Sequence, residues 1–230
     1  MIRLYIEGCK PGKVHLKLDQ IHYLKNVMRK KNTDKLEVFY NGKSWVAEIE
    51  FPNINVTEEL NNANKTTKPI LGIASIRKNK IEMAIEKATE LGAREVFILK
   101  TDRTNHYFDD LPRLNKIAIE ACEQSRNNLV PKINKLTTLQ SFLELHTNPN
   151  VCHAFDRCFL ENNNYINNVV KNEFNINPIL IGPEGGWSDK EIDLFMQYNV
   201  NFVKIHENVL RAETAAISAL TLWNEHNNKN

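Results

Sequence analysis

The chain has 230 residues, 42% apolar and 25% charged, with a formal net charge of +2. This composition belongs to a soluble globular protein with room for one large domain or two smaller ones. It excludes a helical membrane span, because no run approaches the ~18 apolar residues required.

Residues 1–7 lack a long apolar core, so no secretory signal is expected. Cys9, Cys122, Cys152 and Cys158 form no C-x-x-C pair. Scattered thiols fit a reducing cytoplasm rather than a disulfide framework, and no metal site is expected. The charge is unevenly spread. Residues 1–68 hold 12 Lys or Arg against 8 Asp or Glu, whereas residues 69–230 hold 18 against 20. A basic N-terminal part suggests a polyanion partner, although a solvated helix face reads the same way.

Residues 3–7 and 14–18 alternate as short strands, and Asp19 is placed to cap a helix running to about Lys31. Residues 35–40 and 43–49 flank Asn41-Gly42, the strongest short hairpin signal. A further strand covers 55–59. These elements predict a small β-barrel domain over residues 1–66, followed by a polar linker at 61–68.

From residue 69 to 230 strands and helices alternate. Strands are predicted at 70–76, 95–99, 151–155, 178–181 and 201–205. Between them, Ile81, Ala84, Ile85, Ala88 and Leu91 fall at helical spacing before Gly92, a C-cap residue. Leu114, Ile117, Ala118, Ala121 and Cys122 mark another helix, and 161–171, 192–198 and 213–225 complete the set. Such alternation predicts an α/β domain with a mostly parallel sheet.

Two loops stand out. Ile179-Leu180-Ile181 leads into Gly182-Pro183-Glu184-Gly185-Gly186, and Ser188 to Glu191 then reads as a capping box opening a helix. Ligands of parallel sheets bind beyond the carboxyl ends of strands, and bare backbone suits close approach. The loop lacks the Gly-Lys-Ser/Thr ending of a P-loop, and Glu184 would repel phosphate. It therefore suits a ligand that is neutral or positive and read by backbone groups. The second loop, Val209-Leu210-Arg211-Ala212-Glu213-Thr214-Ala215-Ala216, also follows a strand and opens a helix. It puts Glu213 and Thr214 where the helix dipole favours a carboxylate. Side by side, the two loops would form one pocket. Taken singly, each also reads as a plain turn or a capped helix. Glu120, Glu123 and Gln124 share one face near a helix end. Arg77-Lys78-Asn79-Lys80 and Arg103 follow strands, where basic residues can hold RNA phosphates.

Together these motifs resemble the RsmE family. Leu180 to Gly186 and Val209 to Ala215 resemble its cofactor region. Lys87-Ala88-Thr89-Glu90-Leu91-Gly92 and Glu120-Ala121-Cys122-Glu123-Gln124-Ser125 with Pro131 follow in the family's order. The family consists of SPOUT-class methyltransferases acting on N3 of a uridine in 16S ribosomal RNA. The resemblance implies a C-terminal SPOUT domain (69–230) with a deep trefoil knot, a PUA-like RNA-binding domain (1–66) and a cytoplasmic homodimer acting on 16S RNA or the small ribosomal subunit. It also implies S-adenosylmethionine (SAM) held by Ile181, Gly182, Glu184, Gly185, Gly186, Ile205, Leu210, Arg211, Ala212 and Thr214. The sequence departs from the family in two places. His206 replaces a glycine, and Arg211-Ala212-Glu213-Thr214 has lost the hydroxyl of the usual Arg-Thr-Glu-Thr.

For chemistry, Arg211 is assigned electrostatic help, and Glu213 or Glu123 handling of the uridine proton. Arg3, Lys25, Arg29, Lys30, Arg77, Arg103 and Arg126 form the expected RNA-binding set. The competing readings are a knotted transfer RNA methyltransferase and a non-catalytic RNA-binding protein.

Overall fold

The computed structural model describes residues 1–60, 67–105, 107–108, 110–153 and 173–228. Residues 61–66 of the linker predicted at 61–68, the whole helix predicted at 161–171 and the end of the strand predicted at 151–155 lie outside the described residues. The chain divides into two compact units, Met1–Asn64 with Ile119–Val130, and Lys65–Ala118 with Pro131–Asn230.

The first unit carries a five-stranded sheet in the order β1-β3-β4-β5-β2. Its strands are β1 (Arg3–Tyr5), β2 (Gly12–His15), β3 (Lys35–Tyr40), β4 (Lys43–Glu50) and β5 (Asn53–Leu60). The β1–β3 pair is parallel, and the other pairs are antiparallel. The Asn41-Gly42 hairpin forms as predicted, with φ of 48° and 83°, the left-handed pair that a tight hairpin turn requires. The helix predicted from Asp19 instead starts at Leu18 (α1, Leu18–His22) and continues as a wide turn over Tyr23–Val27. Gln20 secures that start by accepting the backbone N–H of Lys17 at 2.9 Å. Leu4, Leu16, Leu24, Leu36, Val38, Ile49 and Ile54 close the core of this unit.

Ile119–Val130 joins this core through Arg3. The guanidinium pairs with Glu37 at 2.9 Å, donates to the carbonyls of Cys122 and Asn127 and to the Asn128 side chain, and lies 4.1 Å from the Phe39 ring centre. Arg3 is therefore a buried clamp rather than a surface cation.

The second unit is built on a six-stranded sheet in the order β11-β9-β10-β6-β7-β8. Its strands are β6 (Ile70–Ala74), β7 (Glu95–Lys100), β8 (Lys132–Thr138), β9 (Asn150–Cys152), β10 (Ile179–Ile181) and β11 (Asn201–Val203). Every pairing is parallel, as the alternation of elements predicts. Both faces are covered. Ile70, Phe97, Leu99, Val151, Leu180 and Phe202 meet α4 (Leu139–Leu145) and α5 (Asp189–Gln197), while the alternate positions Leu71, Ile73, Val96, Ile98 and Ile179 are fully buried as well. Helices α2 (Lys78–Glu90) and α6 (Ala212–Asn227) pack together, and α6 lies against β6 and β10. Helix α3 (Leu111–Ser125) is capped by Asp110, whose carboxylate accepts the N–H of Arg113 at 3.1 Å. The sequence reading did not include β8 or α4.

No helix among the described residues is long and apolar enough to cross a membrane. The chain runs from β6 outward to β8, then returns to the other side of β6 for β9, for β10 between β9 and β6, and for β11 at the far edge. This reversal is a topological switch point, where open α/β sheets leave a crevice beyond the strand ends.

Replacing Arg3 with methionine should destabilise the first unit by about 3–5 kcal/mol, because Glu37 and three buried carbonyl or amide oxygens lose their donor. Urea unfolding followed through the buried Trp45 measures this. A change below about 0.5 kcal/mol would show that Arg3 does not hold the unit together.

Candidate functional site

Two neighbouring cavities open at the carboxyl ends of the second sheet. The first, of about 360 Å³, is lined from the ends of three adjacent strands: Cys152 and His153 at the end of β9, Ile181 to Trp187 at the end of β10, and Ile205, His206 and Asn208 to Leu210 after β11. Ala212 and Ala215 of α6, with Arg103 and Asp189, complete its wall. The volume lies in the ~300–1,000 Å³ range of small-molecule sites.

The glycine loop owes its shape to the core. A Cβ on Gly182 would lie 2.9 Å from the Trp187 indole, so only glycine lets that ring rest against the backbone. Trp187 is itself core. Its ring meets Phe195 edge-on at 5.0 Å, and its Nε1 donates to the Cys152 carbonyl at 3.4 Å. Gly186 has φ of +69°, and its N–H closes a turn onto the Pro183 carbonyl at 2.9 Å. The predicted capping box is present: Ser188 Oγ accepts the N–H of Glu191 at 3.2 Å, and Glu191 accepts the N–H of Ser188 at 2.8 Å.

A second set of bonds ties the loop to the segment after β7. Arg103 donates to the Gly185 carbonyl at 2.8 Å, Ser188 Oγ donates to Asp102 at 2.6 Å, and Glu191 accepts the N–H of Asp102 at 3.0 Å. The glycine loop is thus buckled from two sides before any ligand arrives.

The second cavity, of about 510 Å³, is lined by Arg77, Lys80, Asn105, Glu184, Arg211 and Glu213. Glu184 borders both cavities. The residues entering α6 divide between them. Leu210 and Ala212 line the first cavity, while Arg211 and Glu213 line the second. Arg211, the N-cap, is extended (ψ 151°), so consecutive side chains point in opposite directions.

Lys80 Nζ lies 2.5 Å from Glu213 Oε1, with only 6% of the Glu213 side chain exposed. Burial alone would raise the titration of Glu213. The Lys80 hydrogen bond, a backbone hydrogen bond and the charges of Lys80 and Arg211 override it and hold the carboxyl below its ordinary range. Such a group is ionised at neutral pH and is a weak base.

A family model described as an RNA methyltransferase domain matches residues 63–224, and one described as an RNA methyltransferase PUA domain matches residues 16–55. The ribosomal RNA small subunit methyltransferase E of Rickettsia conorii is 33% identical, over 95% of this chain and 93% of that one. A Borreliella burgdorferi protein, ribosomal RNA small subunit methyltransferase E 2, is 31% identical over 94% and 93%. The chain belongs to the RsmE family of RNA methyltransferases. Among solved structures, a Legionella pneumophila methyltransferase in complex with SAM superposes with a TM-score of 0.81 at 26% identity, covering 97% of each chain.

Of the residues expected to hold an RsmE cofactor, Ile181, Gly182, Glu184, Gly185, Gly186, Ile205, Leu210 and Ala212 line the first cavity together. Arg211 lines the second cavity and Thr214 lines neither. His206 and Asn208 lie on the first wall, where the His206 ring accepts the Asn208 N–H at 2.9 Å.

Glu123 belongs to the first unit, where it accepts the Tyr5 N–H at 2.9 Å. Burial raises its titration against that bond.

Of the expected RNA-binding residues, Arg77, Arg103, Lys25, Arg29 and Arg126 are exposed. Lys25 lies 4.5 Å from the Phe51 ring centre, and Lys30 lies 4.0 Å from Asp34. Arg3 is buried and Arg103 is engaged with the glycine loop. Sequence reasoning missed Trp187 and Asp102, and it placed Lys80 in a basic loop without its pairing to Glu213. The aromatic ring directly after two glycines is the signal that marks the first. The other two meet partners 86 and 133 residues away, and nothing local marks them.

Substituting Glu213 with glutamine should cost about 1–3 kcal/mol at neutral pH, because Lys80 loses a charge-assisted bond. The carboxyl titrates below its ordinary value, so the pair contributes fully above the ordinary carboxylate range. That contribution is lost as pH falls through the depressed value. The gap between wild type and variant in urea unfolding should therefore narrow progressively from neutral into strongly acid solution. An equal gap at both ends of that range would exclude the ion pair as its source.

Proposed function

We propose that this chain transfers a methyl group from SAM to N3 of a uridine in the 16S RNA of the small ribosomal subunit. The observation that carries this reading is the 360 Å³ cavity at the ends of β9, β10 and β11 in a chain of this family. The names of the relatives and the SAM bound in the Legionella structure support it.

The residues present fit that group. SAM carries no phosphate, and the cavity offers no phosphate loop. Its guanidinium, Arg103, is already engaged with Gly185. The Ile181, Leu210, Ala212 and Ala215 side chains offer an apolar seat for a purine, with backbone groups of both loops at its edges. The carboxylates of Glu184 and Asp189 suit a ligand with a positive end.

When bound, SAM supplies a methyl group already activated on a sulfonium. The protein's task is then chiefly to hold donor and acceptor in line, which accounts for a large share of rate enhancement in such reactions. The N3–H proton would pass to water, and N3 would take up the methyl group as the sulfur–methyl bond breaks. Arg211, facing the second cavity, favours the negative charge that appears on the uracil ring. Glu213 acts by holding Lys80 rather than as a strong base.

The same reading includes several finer features. The loops after β10 and β11 belong to a trefoil knot. The first sheet closes as a PUA-like barrel over residues 1–66 and presents Lys25, Arg29 and Lys30 to RNA. Arg126 of the same unit serves RNA as well, and Arg77 does so from the second unit. Residues 69–230 form the catalytic domain, and the protein acts as a cytoplasmic homodimer.

Calorimetry should detect SAM binding at micromolar to millimolar cofactor. Mass mapping of 16S RNA from a deletion strain should show one uridine methylation missing and restored by the gene. SAM binding with an unchanged 16S profile would favour a transfer RNA substrate, and no SAM binding at all would favour a non-catalytic RNA-binding role.

Two substitutions separate donor from acceptor functions. Gly182→Ala should weaken SAM at least ~tenfold by displacing Trp187, the scale of an overpacked contact. Arg211→Ala should lower turnover ~10–100-fold with SAM affinity nearly unchanged. Full activity in Arg211→Ala would remove that residue from the mechanism.

A further inference from the structure

The second cavity has a composition that the donor site does not explain. Arg77 is the N-cap of α2 and Arg211 the N-cap of α6, so two helix amino ends converge on one space. Neither guanidinium has a hydrogen bond or ion pair from its side chain among the described residues, and both are exposed. Glu213 is already matched by Lys80. The space is lined by three cations, Arg77, Lys80 and Arg211, against the carboxylates of Glu184 and Glu213, an excess of positive charge reinforced by two helix dipoles. Two exposed guanidiniums that spend none of their N–H donors on the described residues, beside a space of about 510 Å³, point to an anionic ligand larger than an inorganic ion. Glu184, common to both cavities, places this space next to the proposed donor site.

We propose that this cavity seats the acceptor nucleotide, with Arg77 on its phosphate and Lys80 on a uracil carbonyl. This assignment rests on the methyl-transfer reading and deepens it. Lys80 has three N–H donors, and Glu213 takes one of them. The bond fixes the direction of the other two, and 27% of the Lys80 side chain remains accessible. When N3 gives up its proton, the negative charge spreads onto the two ring carbonyl oxygens, where an oriented ammonium stabilises it. Asn105, with both a donor and an acceptor, is the neutral group on the wall suited to a pyrimidine edge. Arg211 completes the cationic lining and Glu184 keeps the boundary with the donor side.

Crosslinking tests the placement without relying on turnover. Small-subunit RNA substituted with 4-thiouridine is irradiated with the full-length, SAM-loaded protein, and crosslinked peptides are identified by mass spectrometry. Peptides containing Arg77 to Lys80 or Arg211 to Glu213 are expected. Crosslinks confined to other peptides would overturn the assignment.

Kinetics divide the roles. Arg77→Ala, an exposed substitution with little risk to folding, should raise KM for the subunit about tenfold, the worth of one charge-assisted contact, with kcat and SAM affinity unchanged. Lys80→Met should lower kcat and move the rising limb of the pH–rate profile to higher pH. Wild-type kinetics in both variants, or an equal loss of SAM affinity, would overturn the roles. Crosslinks at the expected peptides without methylation would instead sink the methyl-transfer reading and leave the nucleotide seat standing.

Discussion

The contact between Gly182 and the Trp187 ring governs the shape of everything around it. Trp187 belongs to the apolar cluster under the sheet, where Phe195 packs against its ring. Its indole also reaches back under the loop that it terminates. A side chain at Gly182 would strike the ring at 2.9 Å, so the loop must pass over the indole as bare backbone. Core packing and loop geometry are thus one problem. A ring fixed by close-packed neighbours has few alternative positions, and the loop inherits that rigidity. The bonds from Arg103 and the Asp102–Ser188–Glu191 set hold the same loop from the β7 side. A site organised before its ligand arrives spends less binding energy on ordering itself.

The entry to α6 performs a separation of charge. Leu210 and Ala212 face the first cavity, and Arg211 and Glu213 face the second, because the backbone is extended where the helix begins. Apolar seat and charged wall come from neighbouring residues of one chain segment. Small residues at Ala212 and Ala215 let the first cavity approach the helix closely. The family's hydroxyl, lost at Ala212, would have faced that same apolar wall.

Much of this was legible in the sequence where the signal is local. Asn41-Gly42, Gly92 and the Ser188-to-Glu191 box each state a backbone geometry, and each is where the residues imply. The buried strands were visible as apolar runs between turn residues. Strand β8 was not, because it is an edge strand in which only Ile133 is buried, so its pattern hardly alternates. Helix α4 spans seven residues, too few for a helical period to emerge. Arg3 shows the limit of counting charge. It contributes to the basic excess of the N-terminal part, yet its guanidinium is consumed by Glu37, Asn128 and carbonyls of the 119–130 segment. Grouping that segment with the first unit depends on contacts more than 100 residues apart, which no window along the chain displays.

The Lys80–Glu213 pair also bears on how a uridine could be activated here. A general base works best when its own titration lies near the working pH. Glu213 is pushed the other way, below the ordinary carboxylate range, and each unit of mismatch with the donor adds about 1.4 kcal/mol to a proton transfer. Moving the proton from uracil onto this carboxylate would therefore be steeply uphill. The opposite strategy makes sense of the same residues. Cations that stabilise the uracil anion lower the cost of losing the proton to water, and they need no base in the wall. The cavity presents Arg77, Lys80 and Arg211, and the Glu213 carboxylate is paired with one of them. On the proposed reading the ion pair is a positioning device: it would keep an ammonium fixed beside the space where negative charge is to develop, as preorganised electrostatic stabilisation requires.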